Sequence, residues 1–429
     1  MHSQKYLNLQ SFSDCIPKTF VSLEWQILRE SMETITRDLY LNQLKAFKDK
    51  KLIKVITGIR RCGKSTLLDL FGQYLMDSGV TEEQIIRINF EDYDYIDLRD
   101  PKKLYQYVKK RLVPKRKTYV FFDEIQHVTD FPDVVNSLHI KPNVDVYVTG
   151  SNAYMLSHEI ATLMSGRYVE IAMLPLSFKE YVTGTGGREN LSQKYADYIA
   201  FSSFPYALEI EGESERLDYL SGIYSTIVLK DIVSRYKVAD VTMLESVVRF
   251  AADNIGNILS TKRIADTMTS AGRKMDVKTV EKFLAYLQES FVLYKADRYN
   301  IKGMQYLKTL EKYYLVDMGL RRLLLGSRNF DAGRILENIV YLELIRRKYK
   351  VYVGKIDSLE VDFVAMGNKG PVYYQVAATV RDEATLKREL ASLQKINDQY
   401  PKYLLTLDED PDADYNGIRR INVFRWLVG

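Results

Sequence analysis

Residues Leu52 to Leu68 read LIKVITGIRRCGKSTLL. The opening run, Leu52-Ile53-Lys54-Val55-Ile56, is short, apolar and rich in β-branched residues, which predicts a buried parallel strand. Gly58 interrupts it, and Gly63, Lys64 and Ser65 complete the spacing G-x-x-x-x-G-K-[ST]. Beyond Ser65 the apolar residues Leu67, Leu68, Leu70, Phe71, Tyr74 and Leu75 recur at helical spacing, with Gly79 as the stop. The two glycines let the backbone wrap with its N–H groups pointing inward, where they can hold phosphate oxygens. The helix adds the positive end of its dipole to the same point. Lys64 is then the partner of the β- and γ-phosphates, and the Ser65 hydroxyl a ligand for Mg²⁺. Gly58, Arg61, Cys62, Gly63, Lys64, Ser65 and Thr66 are the candidate nucleotide contacts. The bland reading is a glycine turn ahead of an ordinary helix, but here strand, loop and helix stand in the order the phosphate site requires.

The chain has 429 residues, enough for about three domains on a prior of roughly 150 residues each. Hydrophobic residues are 46% and charged residues 27%, which predicts a folded core. No apolar run approaches the roughly 18–20 residues of a membrane span, and the N-terminus has no secretory pattern. Cys15 and Cys62 are the only cysteines, and the four histidines form no ligand-spaced set with them. This argues against structural zinc or a disulfide framework and fits a reducing cytoplasm, with no membrane partner. Cys62 lies near a helix N-terminus, which lowers thiol pKa. It reads either as a redox switch or as an inert small loop residue, and the second is favoured.

Residues 1–34 carry little pattern. Asp38 to Phe47 reads as an amphipathic helix, and Gln84–Asp92 as a second strand. Pro101 to Lys117 holds eight Lys or Arg and no acid, with Tyr105 and Tyr107 interleaved. Such a stretch can meet a nucleic-acid backbone or form a solvated helix face, and the second is favoured. Thr118 to Val128, TYVFFDEIQHV, is a hydrophobic run into Asp123-Glu124, a Walker B pattern. Two carboxylates ending a buried strand are costly unless they meet a metal or solvent. Asp123 is the candidate Mg²⁺ ligand, and Glu124 the candidate base for an attacking water. VDVYVTGSN (Val144–Asn152) is another buried strand, with Asn152 at its tip as a candidate γ-phosphate or water contact. RYVEIAMLP (Arg167–Pro175) is a fifth strand. Arg167 reads either as a residue serving a neighbouring subunit's nucleotide or as a surface arginine.

The succession GIRRCGKSTLL, FFDEIQHV, VTGSNAYML and SGRYVEIAMLPLSFKEYV resembles the prokaryotic AAA-type ATPases fused to a C-terminal domain of unknown function. The resemblance runs from about residue 35 to the end. It implies an α/β core at 35–175, a parallel sheet with the nucleotide at the C-terminal ends of its strands. It implies ATP and Mg²⁺ as ligands, with site roles at Lys64, Ser65, Asp123, Glu124 and Asn152. A helical lid follows at 176–240, where IYSTIVLKDIVSRYKVAD (Ile223–Asp240) is similar to the family's pattern. Lys230 and Arg235 are its candidate nucleotide-sensing bases.

Residues 241–330 read as three helices, capped in part by Ser260 or Thr261 and by Asp276, then two β-rich runs: a winged helix-turn-helix. Residues 240–330 hold 15 Lys and Arg against 10 Asp and Glu, the whole net charge of +5. Such a module docks DNA or packs protein, with the two near even. Residues 331–429 resemble the restriction-endonuclease-like fold. Asp362 matches its strand aspartate, with Glu360 beside it and Glu337 or Glu343 as helix acid. Gln375 and Ala377 stand where an acid and a lysine are expected, which favours binding over cleavage. Lys387 is the candidate replacement lysine. The expected function is a Mg²⁺-dependent ATPase acting as a nucleotide-driven switch on DNA or a protein partner, with homo-oligomerisation as an option. The alternatives are an ATP-regulated DNA nuclease and a non-catalytic DNA-binding regulator.

Overall fold

The computed structural model describes residues 35–153, 166–326 and 332–429. Two sheets organise them. The first has five strands: β1 (Ile53–Thr57), β2 (Ile85–Asn89), β3 (Thr118–Asp123), β4 (Val144–Gly150) and β5 (Tyr168–Ala172), in the order β2-β3-β4-β1-β5. Every pairing is parallel. β1, β3 and β4 are buried along their whole length, which is why they read as unbroken apolar runs and not as alternating ones. Helices cover both faces. Asp38–Phe47 and Lys64–Asp77 place Leu44, Leu67 and Phe71 against Phe121 and Tyr147 on one side. Pro101–Arg111 and Phe131–His139 place Leu104, Val108, Val135 and Leu138 against Val120, Phe122 and Val146 on the other.

The basic helix Pro101–Arg111 starts on an Asp100 cap and buries only Leu104 and Val108. Lys103 pairs with Asp97, and Arg111 lies 3.5 Å over the Tyr107 ring, as on a solvated face. After β5 the chain is helical at Phe178–Gly184, Leu191–Phe201 and Glu213–Ser225, then continues as a nine-residue π-helix, Thr226–Ser234. Long π-helical stretches are uncommon and cluster at functional places.

Helices Val241–Asp253, Thr261–Ser270 and Val277–Glu289 follow, capped by Asp240, Ser260 and Asp276. The second sheet has nine strands: β6 (Ile258–Leu259), β7 (Leu293–Asn300), β8 (Gln305–Leu315), β9 (Lys350–Ile356), β10 (Leu359–Gly367), β11 (Gly370–Ala377), β12 (Lys402–Thr406), β13 (Ala413–Tyr415) and β14 (Ile418–Asn422). Their order is β13-β14-β12-β11-β10-β9-β7-β8-β6. The β7–β8 hairpin does not project as a free wing. β7 pairs in parallel with β9 through Arg298–Val353, Tyr299–Gly354 and Asn300–Lys355, so the hairpin and the C-terminal strands share one sheet. Pairing covers an edge that would otherwise expose a row of N–H and C=O groups.

The run KYLLTLD reads as the last strand of the chain; the structure adds a β13–β14 hairpin and a final helix, Val423–Val428, capped by Asn422. Asn416 and Gly417, both at positive φ, make the two-residue turn that such a hairpin requires. Among the described residues no helix is long and apolar enough to cross a membrane.

Candidate nucleotide site

The loop between β1 and the Lys64–Asp77 helix closes over the C-terminal ends of β1, β3 and β4. Gly58 has a φ of 149°, and a Cβ there would sit 2.1 Å from the Met173 carbonyl oxygen, so no other residue fits. Gly63, at φ 98°, hands the chain into the helix. Lys64 folds back: its Nζ donates to the carbonyls of Gly58 at 3.2 Å and Ile59 at 3.3 Å and stands 3.4 Å from the Glu124 carboxylate. Burial alone would push its pKa down; Glu124 and Asp123 override that and hold the ammonium charged. Ser65 and Thr66 are exposed at the mouth of the loop.

Asp123 ends β3, and its carboxylate accepts from the Thr149 hydroxyl and bonds the Ser65 hydroxyl. Burial raises its pKa above the ordinary carboxylate range, with those bonds pulling the other way. Glu124 follows in the left-handed region, φ 53°, ψ 49°. For a buried non-glycine residue this is strained, and such strain collects at functional positions. Its backbone N–H donates to Thr149 Oγ1 at 2.9 Å, so one threonine fixes both acids. Burial opposes ionisation of Glu124, but Lys64, Gln126 and Arg60 hold its pKa down at about 2.

The side chain of Arg60, next to the predicted Arg61, turns inward. It donates to Asp231 of the π-helix at 3.1 and 3.0 Å and to Glu91 at 2.6 Å. Arg61, at φ 66°, is exposed. A cavity of about 510 Å³ opens beside the loop, lined by Arg60, Gln126, Ser151, Asn152, Lys230 and Arg235 among others. Lys230, Arg235 and Asn152 thus line the same cavity as Arg60 of the phosphate loop. Asn152 also lies within hydrogen-bonding reach of the Tyr236 hydroxyl. Arg167 is not brought here. It is exposed at the start of β5, where its carbonyl accepts from the Ile53 N–H, at the opposite end of the strands. Cys62 is fully buried with its Sγ 3.6 Å from the Met173 carbonyl, and burial pushes the thiol up, which answers to the inert reading.

The residues fit Mg²⁺. Ser65 and Asp123 offer two adjacent hard oxygens, and the buried Asp123 carboxylate calls for a cation. Mg²⁺ is commonly held by one or two protein oxygens together with substrate phosphates.

In the C-terminal sheet, Asp362 is buried and accepts from the Val376 N–H at 2.8 Å. Of the two helix acids, Glu337 stands with it, while Glu343 pairs with Arg346 at 3.3 Å and Arg347 at 2.8 Å. Lys387 does not enter; it pairs with Glu383 on the surface. The cation at this cluster is Lys312 of β8, 3.0 Å from Glu337 and 2.6 Å from Glu360, a residue the sequence pattern did not single out. Gln375 donates to Glu389 at 2.9 Å. Among the described residues no group of three or more His, Cys, Asp or Glu has the arrangement of a metal site.

Two family models match the chain: an AAA domain over residues 50–182 and a domain of unknown function over 192–331. An uncharacterized protein of Haemophilus influenzae is 40% identical over 402 residues, 93% of this chain and 100% of that protein. An uncharacterized protein of Methanocaldococcus jannaschii is 28% identical over 385 residues, 86% of this chain and 82% of that one. Among solved structures, Aeropyrum pernix Orc1 in complex with DNA aligns over 67% of this chain and 91% of its own at 12% identity, with a TM-score of 0.29. AMPPCP-bound DnaA from Aquifex aeolicus aligns over 58% and 86% at 12% identity, also at 0.29. The chain belongs to the family of AAA-domain P-loop proteins that includes the Haemophilus influenzae protein.

Proposed function

We propose that this protein is a Mg²⁺-dependent ATPase whose nucleotide cycle works a conformational switch on a DNA or protein partner. The observation that carries the reading is the meeting of Lys64, Ser65, Asp123 and Glu124 at one end of β1 and β3. Lys64 binds the β- and γ-phosphates, taking their oxygens in place of its own loop carbonyls. Ser65 and Asp123 hold Mg²⁺, which neutralises charge on the phosphate oxygens when bound. Glu124 accepts a proton from the attacking water, and Asn152 faces the same cavity to orient it. The loop backbone, with Arg61, Cys62 and Thr66, shapes the cradle. Arg167 lies too far round the sheet for its own chain's site, so any role at a nucleotide is on a second copy.

Calorimetry tests the reading: the wild-type chain binds MgATP, and Lys64→Ala loses the binding. Undiminished binding by Lys64→Ala would refute the assignment. On the partner, DNA is favoured slightly. Lys262, Arg263, Lys274, Lys278 and Lys282 are exposed on the three-helix stretch, whose surrounding segment carries a net +5. Duplex DNA binding that falls steeply with salt supports this reading. No binding at low salt, with or without ATP, makes the partner a protein.

A further inference from the structure

Two residues beyond Glu124, in the turn Ile125–His127, stands a polar side chain to which the phosphate-loop pattern gives no role. We propose that Gln126 is a water-orienting residue of the hydrolytic site: one end of its amide holds Glu124 and the other accepts a hydrogen bond from the attacking water. The inference rests on the ATPase reading above and deepens it.

Gln126 Nε2 donates to Glu124 Oε2 and lies 3.4 Å from Ser151 Oγ. The orientation of the amide follows from chemistry. An ionised carboxylate only accepts, so the NH₂ group must face it. The carbonyl oxygen then points the other way. Gln126 Oε1 is buried and has no donor among the described residues. A buried amide oxygen is costly to leave unpaired, and each such atom asks for an explanation. This one belongs to a side chain lining the cavity that Ser151, Asn152 and Arg60 also line. A water entering from the cavity and seated against both the Glu124 carboxylate and Gln126 Oε1 would give one proton to each acceptor, leaving a lone pair free for phosphorus.

The step then balances. The water oxygen forms a bond to the γ-phosphorus, and the bond to the bridging oxygen breaks, its electron pair leaving with ADP. The proton donated toward Glu124 passes to that carboxylate. Gln126 gains and loses no proton; it fixes direction.

The test is phosphate release, KM and MgATP affinity of the full-length chain, for wild type, Gln126→Leu and the nearly isosteric Gln126→Met. The expected result in both variants is a kcat lower by about 10²-fold with ATP affinity retained. KM for MgATP stays near the wild-type value, so the loss falls on kcat alone. A side chain that merely packs would not lower kcat while leaving ATP affinity intact. An unchanged kcat in both variants overturns the inference, as does a kcat that falls only in step with lost ATP affinity. A wild-type chain that does not bind or hydrolyse ATP overturns the ATPase reading and this inference with it. Wild-type turnover with indifferent Gln126 variants overturns this inference alone.

Discussion

Lys312→Met is expected to destabilise the C-terminal sheet by about 3 kcal/mol at neutral pH, and the deficit should grow as pH rises. Lys312 is 3% exposed and sits between Glu337 and Glu360 with Asp362 behind them. Removing one partner of a buried ion pair typically costs 3–5 kcal/mol, because the charge left behind has lost its neutraliser. Glu360, 35% exposed, remains solvated and adds little, whereas Glu337 is 12% exposed. The lower end of the range therefore applies. The pH dependence comes from Asp362. Burial and Glu337 hold its carboxyl well above the usual range, and Lys312, with the Val376 N–H, pulls it down. Without that ammonium its pKa rises further. A carboxyl raised in the folded state contributes stability below its unfolded pKa and loses it as pH climbs through the folded one. Lys312 itself is held above the ordinary lysine range by Glu337, so in the wild type its contribution is constant between pH 5 and 8. Urea unfolding of both proteins at pH 5.5 and 8, followed by a probe in the C-terminal sheet, measures the difference. Equal stability at pH 8, or a deficit independent of pH, refutes the reasoning.

Glu124→Gln should bind MgATP as well as wild type and turn over on the order of 10²–10⁴-fold slower, measured as phosphate release. Asp231→Asn keeps one acceptor oxygen for the Arg60 guanidinium and sets an amide NH₂ against its other N–H, so one of the two hydrogen bonds and the ion pair are lost, and a bond to a charged group contributes roughly 1.5–3 kcal/mol; amides of Thr226–Ser234 should exchange with deuterium at least about tenfold faster, and unchanged exchange would deny Arg60 a role in holding the segment. No Mg²⁺- or Mn²⁺-dependent cleavage of linear, circular or branched DNA is expected, with or without ATP; cleavage that survives Lys64→Ala and disappears in Asp362→Ala would make the protein an ATP-regulated nuclease.

The legible parts of this chain are those written in local chemistry. The phosphate loop, the β3 carboxylates and the caps Ser260 and Asp276 each depend on a few neighbouring residues, and each stands where the sequence puts it. The strand order β2-β3-β4-β1-β5 depends on contacts far apart in sequence and left no local mark. The same is true of the β7–β9 pairing, which joins segments about fifty residues apart and draws Lys312 into a cluster otherwise built from the C-terminal acids. Arg60 and Arg61 are the same residue type, and only the left-handed backbone at Arg61 distinguishes which one turns inward. The signal at Asn416-Gly417 was present and local; it marks a hairpin after the strand that reads as the last.

Besides the Arg60–Asp231 pair, two further connections tie the candidate nucleotide site to the C-terminal part of the molecule, one from the phosphate loop and one from the tip of β4. On the back side of the loop, the Cys62 carbonyl accepts from Arg37 Nη1 at 2.8 Å. Arg37 also donates to Glu180 at 3.0 Å, and Arg346, from the helix Ala332–Arg346, stands 4.0 Å from the same Glu180 while bonding the Tyr40 hydroxyl and the Pro175 carbonyl. At the tip of β4, Asn152 meets Tyr236, whose ring stacks on Tyr286 at 3.8 Å and whose hydroxyl bonds Glu289. Tyr286 and Glu289 belong to Val277–Glu289, the third helix of the basic stretch. Buried polar groups of this kind cannot lose a partner cheaply, and a close-packed interior cannot absorb a displaced side chain without moving its neighbours. A phosphate group that draws Lys64 from the Gly58 and Ile59 carbonyls therefore perturbs a loop already tied to one helix of the C-terminal module. A change at the tip of β4 is likewise passed through Tyr236 to the helix Val277–Glu289. The two connections give any change at the site a physical route out of the first sheet, one leaving from the phosphate loop and the other from the tip of β4.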